Sequence, residues 1–213
     1  MTEETRVHVL GKPVDDYPAT PPEARRGKVL RVTVVGEEIL AKPCKEATTE
    51  FGTPELDALI DDMFATMQVA EGVGLAANQV DVDLRLFVYD CPDDDGVRHV
   101  GHILNPVLDD LPVERRSLVE NDEGCLSVPG PYAPVSRPDV AVVRGFDKSG
   151  APLVLEGHGF FARCLQHETD HLNGRLYIDR LAARRRKTVL KEMAERQDEI
   201  FQRRAARADA RDA

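Results

Sequence analysis

Apolar residues recur at spacings of three and four from Leu56 through Leu59, Ile60 and Met63 to Met67, which predicts an amphipathic helix with one stripe on the core. Thr53-Pro54-Glu55 marks its start: an N-cap, a proline at the first helical position and an acid at the positive end. Met63 and Met67 are read as core filling. Gly72 and Gly74 are expected to end this helix and to let backbone approach a neighbour closely. The β-branched run Val29–Val35 predicts a strand, as do Leu84–Tyr89 and His102–Val107. Val140–Phe146 and Pro152–Glu156 flank the turn signal Asp147-Lys148-Ser149-Gly150, which predicts a hairpin. A second helix carries Phe161, Cys164, Leu165 and Leu172 on an apolar side and stops at Asn173-Gly174. From about Ala182 to Arg207 an Ala-, Glu-, Lys- and Arg-rich stretch predicts a final helix, largely exposed and fraying at its end. Residues 1–27, with Pro13, Pro18, Pro21 and Pro22 and no periodicity, read as a mobile or surface-draped extension.

At 213 residues one domain is expected, with a body over 28–180 and a basic helix and tail over 181–213. No apolar run reaches transmembrane length, and Met1–His8 has no basic-then-apolar leader pattern, so a cytoplasmic protein is expected. Four cysteines (Cys44, Cys91, Cys125, Cys164) in such a chain read as buried thiols or metal ligands rather than disulfides. The net charge of −10 is uneven. Residues 180–213 carry 11 Lys+Arg against 6 Asp+Glu, so the remainder is strongly acidic and only the tail suits a polyanion. The acidic run in Cys91–Gly96 reads as a solvated loop.

The chemistry centres on His167-Glu168-Thr169-Asp170-His171. On a helix, residues i and i+4 share a face, so both imidazoles reach one ion. Glu168, about 100° around the helix, stands beside that ion and is free to handle a water proton. The apolar flank implies a buried helix, where a Glu between two His needs a polar partner or a metal. Three protein ligands and an open position make a catalytic metal site. Two residues are candidates for the third ligand: Glu192 downstream, as in some zinc peptidases, or Cys125 upstream, whose thiolate suits a soft or borderline ion. Asp170 either orients a ligand or sits in a helix–strand salt bridge.

Three stretches, Gly72–Gln79 (GVGLAANQ), Glu123–Ser127 (EGCLS) and Gln166–His171 (QHETDH), closely resemble the three ordered motifs of peptide deformylases. The resemblance runs from about Val29 to Arg180 and includes His102–Pro106 and Arg137-Pro138. It implies an α+β fold with antiparallel sheets packed around a central metal-binding helix. It also implies removal of the formyl group from the N-terminal formyl-methionine of new chains, by a metal-bound water with Glu168 as general base and acid. Cys125, His167 and His171 match the metal ligands, and the ion is expected to be Fe(II), with Zn, Ni or Co as substitutes. Gln79 and the backbone N–H of Leu126 match the donors to the formyl oxygen. Val73, Gly74, Tyr132 and Cys164 match substrate contacts, although some members have Arg in place of Tyr132. The implied partners are N-formylmethionyl nascent peptides and, through Arg184–Lys187, Arg203, Arg204 and Arg207 of the basic C-terminal helix, the ribosome, with a solvated helix end as the alternative for that charge run; no membrane partner and a monomer are expected. Two rival readings are a zinc endopeptidase using His167, His171 and Glu192, and a structural metal domain with an RNA-binding tail.

Overall fold

The computed structural model describes residues 6–212; Met1–Thr5, which open the expected N-terminal extension, and Ala213 lie outside the described residues. Strands β1 (Val7–Val9) and β2 (Lys12–Val14) and the short helix α1 (Pro22–Arg26) precede the long helix α2 (Pro54–Val69). Then follow β3 (Gly74–Ala76), β4 (Leu86–Pro92), β5 (Arg98–Leu108), β6 (Leu118–Cys125), β7 (Val128–Pro138), β8 (Val140–Phe146) and β9 (Pro152–His158). Helix α3 (Gly159–Leu172) and helix α4 (Ala183–Asp212) close the chain.

Seven strands form one curled sheet in the order β2-β1-β5-β4-β3, with β8 also paired to β5 and β9 to β8. All pairs are antiparallel except β1 with β5. Strands β6 and β7 form a separate antiparallel pair. The fold is therefore α+β, with α3 at its centre.

Alternation along the strands explains the layering. Leu75, Leu86, Val88, Val100 and Leu104 face α2, against Leu56, Ile60, Met63 and Met67. Ala76, Phe87, Tyr89, Cys91 and Ile103, offset by one residue, face α3 and pack on Phe161, Ala162, Leu165 and Leu172. Each such large side chain contributes ~1.5–3 kcal/mol of burial. The third cluster joins Val128, Ala133 and Val135 of β7 to Tyr177, Ile178 and Val189, seating the start of α4 on the small sheet.

The helix at Thr53 begins as expected: Thr53 Oγ1 accepts from Leu56 N–H at 3.3 Å, and proline follows. The β8–β9 hairpin and the stop at Asn173-Gly174 also form, with Gly174 at φ 71°.

Four expectations need correction. Residues 7–26 do not drape loosely. Val7 is buried beside Val9, Val14 and Tyr17 in the α2 cluster, because an open edge of β5 gives β1 a place to pair. Val29–Val35 is extended but joins no sheet. Its N–H groups go instead to Thr66 Oγ1, Gln79 O and Ser127 O. The acidic loop is not merely solvated: Asp93 is buried and bonded to His99 at 3.0 Å, and Asp94 accepts from Phe160 N–H at the start of α3. Helix α4 runs to Asp212 rather than fraying near Arg207.

His102 on β5 is buried and accepts a hydrogen bond from Lys148 N–H at 3.0 Å. Burial, with Lys148 nearby, lowers its pKa to about 4. Between there and its unfolded value of about 6.5 the unfolded chain binds the extra proton, so stability falls as pH drops through this window. The expected loss is ~3 kcal/mol at most. Thermal melts between pH 7 and 4 should show this slope, and His102→Gln, which keeps an acceptor, should flatten it.

Candidate metal centre

Three segments converge on the cleft beside α3. Cys125 ends β6, Gln79 lies in the 3-10 turn Ala77–Val80 after β3, and His167, Glu168 and His171 project from α3. The ligand atoms of Cys125, His167 and His171 all lie within 4.8 Å of one another. Cys125 Sγ is 3.2 Å from His171 Nε2, close to the ligand–ligand spacing in a tetrahedral site with bonds of about 2.0–2.3 Å. His167 Nδ1 lies 3.0 Å from the Glu123 carboxylate, which holds the Nδ1–H tautomer and leaves Nε2 free to ligate. His171 Nδ1 and Glu168 Oε2 are buried without a partner among the described residues. A borderline ion fits this donor set of one thiolate and two imidazoles, with a carboxylate beside it. Glu192 is not part of the cluster; it belongs to α4.

The electrostatics set the three α3 groups apart. Burial raises the Glu168 pKa to about 7, only partly opposed by His167 and Arg137. Burial and the neighbouring His167 push His171 well down. Burial also pulls His167 down, but its Cys125 and Glu123 partners outweigh that and hold it well above the usual imidazole range.

Glu123 itself sits in a buried ion network. Arg137 forks onto it at 2.5 and 2.8 Å and reaches Asp170 at 2.8 Å. Asp170 in turn takes both Arg180 contacts at 2.8 Å. Arg163 donates to Glu123 at 2.6 Å and to the Val135 and Val119 carbonyls at 2.8 Å. For Glu123 burial opposes ionisation, but Arg137 and His167 outweigh it and keep the carboxyl well below its usual range. Asp170 is thus a salt-bridge partner that fixes Arg137, and through it Glu123 and His167. The sequence left Glu123 and Arg163 without roles; burial and ion pairing of a Glu next to Gly124 on a strand carry no periodic signal of their own.

Gln79 is held by its other end. Its Oε1 accepts from Ala76 N–H at 2.9 Å, so Nε2 points to Ser127 Oγ (3.2 Å) and Cys125 Sγ (3.6 Å). Thr33, on the extended segment read as a strand, braces this turn through Gln79 O (2.8 Å) and Asn78 O (3.0 Å). Gly74 allows the close approach expected of it: a Cβ there would collide with the Glu168 carboxylate. The φ of 59° that turns the chain out of α2 belongs to Glu71, not to a glycine.

Val73, Gly74, Leu126, Tyr132 and Cys164 all line the cleft, whose volume is about 440 Å³. Tyr132 is exposed at its mouth. Cys164 lies outside the ligand cluster and contacts Val73 O at 3.7 Å. All four cysteines are free. Unanticipated is the share of the wall built by Arg196, Ile200, Arg203 and Arg204 of α4.

The family model for polypeptide deformylase matches residues 29–187. Peptide deformylase 1 of Streptomyces avermitilis is 59% identical over 170 residues, covering 80% of this chain and 78% of that protein. The crystal structure of peptide deformylase from Ehrlichia chaffeensis superposes with a TM-score of 0.72 at 31% identity, over 80% of this chain and 97% of the other. A Met-Ala-Ser-bound class I type b peptide deformylase from Acinetobacter baumannii gives 0.65 at 32% identity, over 72% and 98%.

Removing one partner of the buried network should be costly. Arg137→Met leaves Glu123 and Asp170 short of a counter-charge, and is expected to lower the unfolding free energy by ~3–5 kcal/mol in urea titrations.

Proposed function

The chain belongs to the polypeptide deformylase family of hydrolases, and we propose that it removes the formyl group from the N-terminal formyl-methionine of newly made polypeptides, releasing formate. The observation that carries this reading is the grouping of Cys125, His167 and His171 within 4.8 Å, beside a buried, unpartnered Glu168 oxygen. These three residues would hold one divalent ion. Fe(II) is our assignment, with Zn, Ni and Co as competitors for the same donors. Such an ion supplies Lewis acidity and brings the pKa of a water towards ~7.

The protein groups then divide the work. Glu168, held near neutrality by burial, takes the proton of the attacking water. As oxygen bonds to the formyl carbon, its carbonyl oxygen gains negative charge. Gln79 Nε2 and the Leu126 N–H are the donors we assign to that charge. One such donor typically contributes ~10²–10³ in rate. The C–N bond breaks, formate leaves, and Glu168 returns the proton to the methionine amine. Gly74 would offer backbone to the peptide. Val73, Tyr132 and Cys164 would line the pocket for the methionine side chain.

Residues 28–180 are the part we read as the catalytic body, acting in the cytoplasm as a monomer. No helix among the described residues is long and apolar enough to cross a membrane. A ribosome contact would fall to Arg184-Arg185-Arg186-Lys187, which are exposed. Arg203 and Arg204 line the cleft and Arg207 pairs with Glu71, so they are less available.

Incubation of anaerobically Fe(II)-loaded protein with formyl-Met-Ala-Ser should release formate, and none from folded, loaded protein would sink the assignment. Cys125→Ala should lose both metal and activity; retained metal would instead favour a peptidase-like site using Glu192. Replacing Gln79 by Leu should lower kcat by ~10²–10³ with little change in metal content. For the ribosome, the quadruple Gln variant at 184–187 should co-sediment less than the full chain at low salt. Equal binding would remove that contact.

A further inference from the structure

The catalytic roles above use one side of the cleft. Another part of the lining is α4, and it lies almost wholly past residue 187, where the family match ends. Arg196, Ile200, Arg203 and Arg204 stand at i, i+4, i+7 and i+8, which is one stripe of a helix. All four line the cleft. Ile200 is buried, and Arg204 Nη1 donates to the Leu126 carbonyl at 3.1 Å, one residue from Cys125. Further along the same stripe, Arg207 pairs with Glu71, and Arg211 Nη2 donates to Ala24 O at 2.5 Å and Gly27 O at 2.6 Å. Those carbonyls precede the family match, so the two ends of the chain clasp each other beside the cleft.

The stripe is short of negative charge. Arg204 has its Nε buried without a partner and meets no carboxylate among the described residues. A guanidinium taken from water without a counter-charge is costly, which leaves it poised for an anion. Burial pulls its pKa down, with Cys125 acting in the opposite sense. Among the described residues Arg196 donates only to Gly130 O, at 2.9 Å, and Arg203 is 3.8 Å from a Glu71 that Arg207 already holds. Of the other acids lining the cleft, Glu123 is taken by Arg137, Arg163 and His167, Glu168 stands at the metal centre, and Asp122 is exposed on the far rim. From Arg196 to Arg204 the helix advances about 12 Å, at ~1.5 Å per residue. That matches three or four residues of an extended peptide at ~3.3 Å each.

We propose that this arginine stripe is a specificity wall that reads the two or three residues behind the methionine and favours substrates carrying Asp or Glu there. The proposal rests on the deformylase reading for the identity of the bound peptide, and the two are separable by experiment. C-terminally amidated formyl-Met-Ala-Asp, formyl-Met-Ala-Ser and formyl-Met-Ala-Lys remove the competing terminal carboxylate. With the full, metal-loaded chain, kcat/KM for the Asp peptide should exceed that for the Lys peptide about 5-fold at roughly 20 mM salt, and the ratio should shrink towards unity at roughly 300 mM. The double variant Arg196→Glu/Arg203→Glu changes two exposed side chains and should invert the order. Calorimetric binding of the deformylated Met-Ala-Asp-amide and Met-Ala-Lys-amide gives the same comparison without turnover. Formate released from all three peptides at equal rates would overturn the wall and leave the deformylase reading intact. No formate from any peptide, with tighter binding of the Asp product, would overturn the deformylase reading and leave the wall. If the variant does not fold, the wild-type ratio and its salt dependence still decide.

Discussion

The buried ion network around Glu123 and Arg137 is the constraint on which the site depends. Strands β6 and β7 form their own two-stranded sheet, separate from the seven-stranded one that cradles α3. No ladder hydrogen bond therefore fixes Cys125 relative to His167 and His171. Arg137 on β7 does so by forking onto Glu123 of β6 and reaching Asp170 of α3, while Arg163 of α3 ties back to Glu123 and to strand carbonyls. Paired charges of this kind gain little over a well-packed apolar core, but half a pair is strongly unfavourable. The arrangement thus penalises any register in which the thiolate and the imidazoles fail to meet.

The same carboxylate joins structure to chemistry. Glu123 holds His167 by Nδ1, which sets the tautomer and turns Nε2 to the ligand position. Glu168, one residue along, has no such partner for Oε2, and burial lifts its pKa into the range useful for proton transfer at neutral pH. Two glutamates in one cleft are driven in opposite directions, one by cations and one by desolvation. Gln79 is aimed by its own backbone turn and by Thr33, which fix the direction of its Nε2. The ends of the chain add to this shared core rather than to its chemistry: β1 covers an edge of β5, and α4 lies along the cleft, pinned by Arg207 and Arg211.

Much of this was legible in residue order. The α2 periodicity, its Thr53-Pro54 start, the β8–β9 hairpin and the His167–His171 spacing are all local signals, carried within a few residues by helical or strand geometry. Thiolate chemistry made Cys125 a candidate partner of α3, but its preference over Glu192 was legible only through resemblance, since nothing in a 42-residue separation encodes contact. The errors came where local preference met tertiary demand. Val29–Val35 has strand-forming residues but no free sheet edge, so it became a brace. In the N-terminal segment the prolines hid a short run, Val7-His8-Val9, that found an edge of β5 to pair with.

The sequence by itself determined which chemistry is on offer: a thiolate, two imidazoles at helical spacing, a neighbouring carboxylate and an acidic body with a basic end. It did so because ligand type and i, i+4 geometry are properties of short stretches. Only the tertiary structure decided that Cys125 rather than Glu192 is grouped with the two imidazoles, that the environments of Glu123 and Glu168 shift them in opposite directions, and that the basic end turns inward along the cleft. Those outcomes depend on burial and on partners 14 to 187 residues away in the chain, such as Arg137 with Glu123 and Arg211 with Ala24. Desolvation and charge pairing are properties of the packed molecule, and no residue carries them alone.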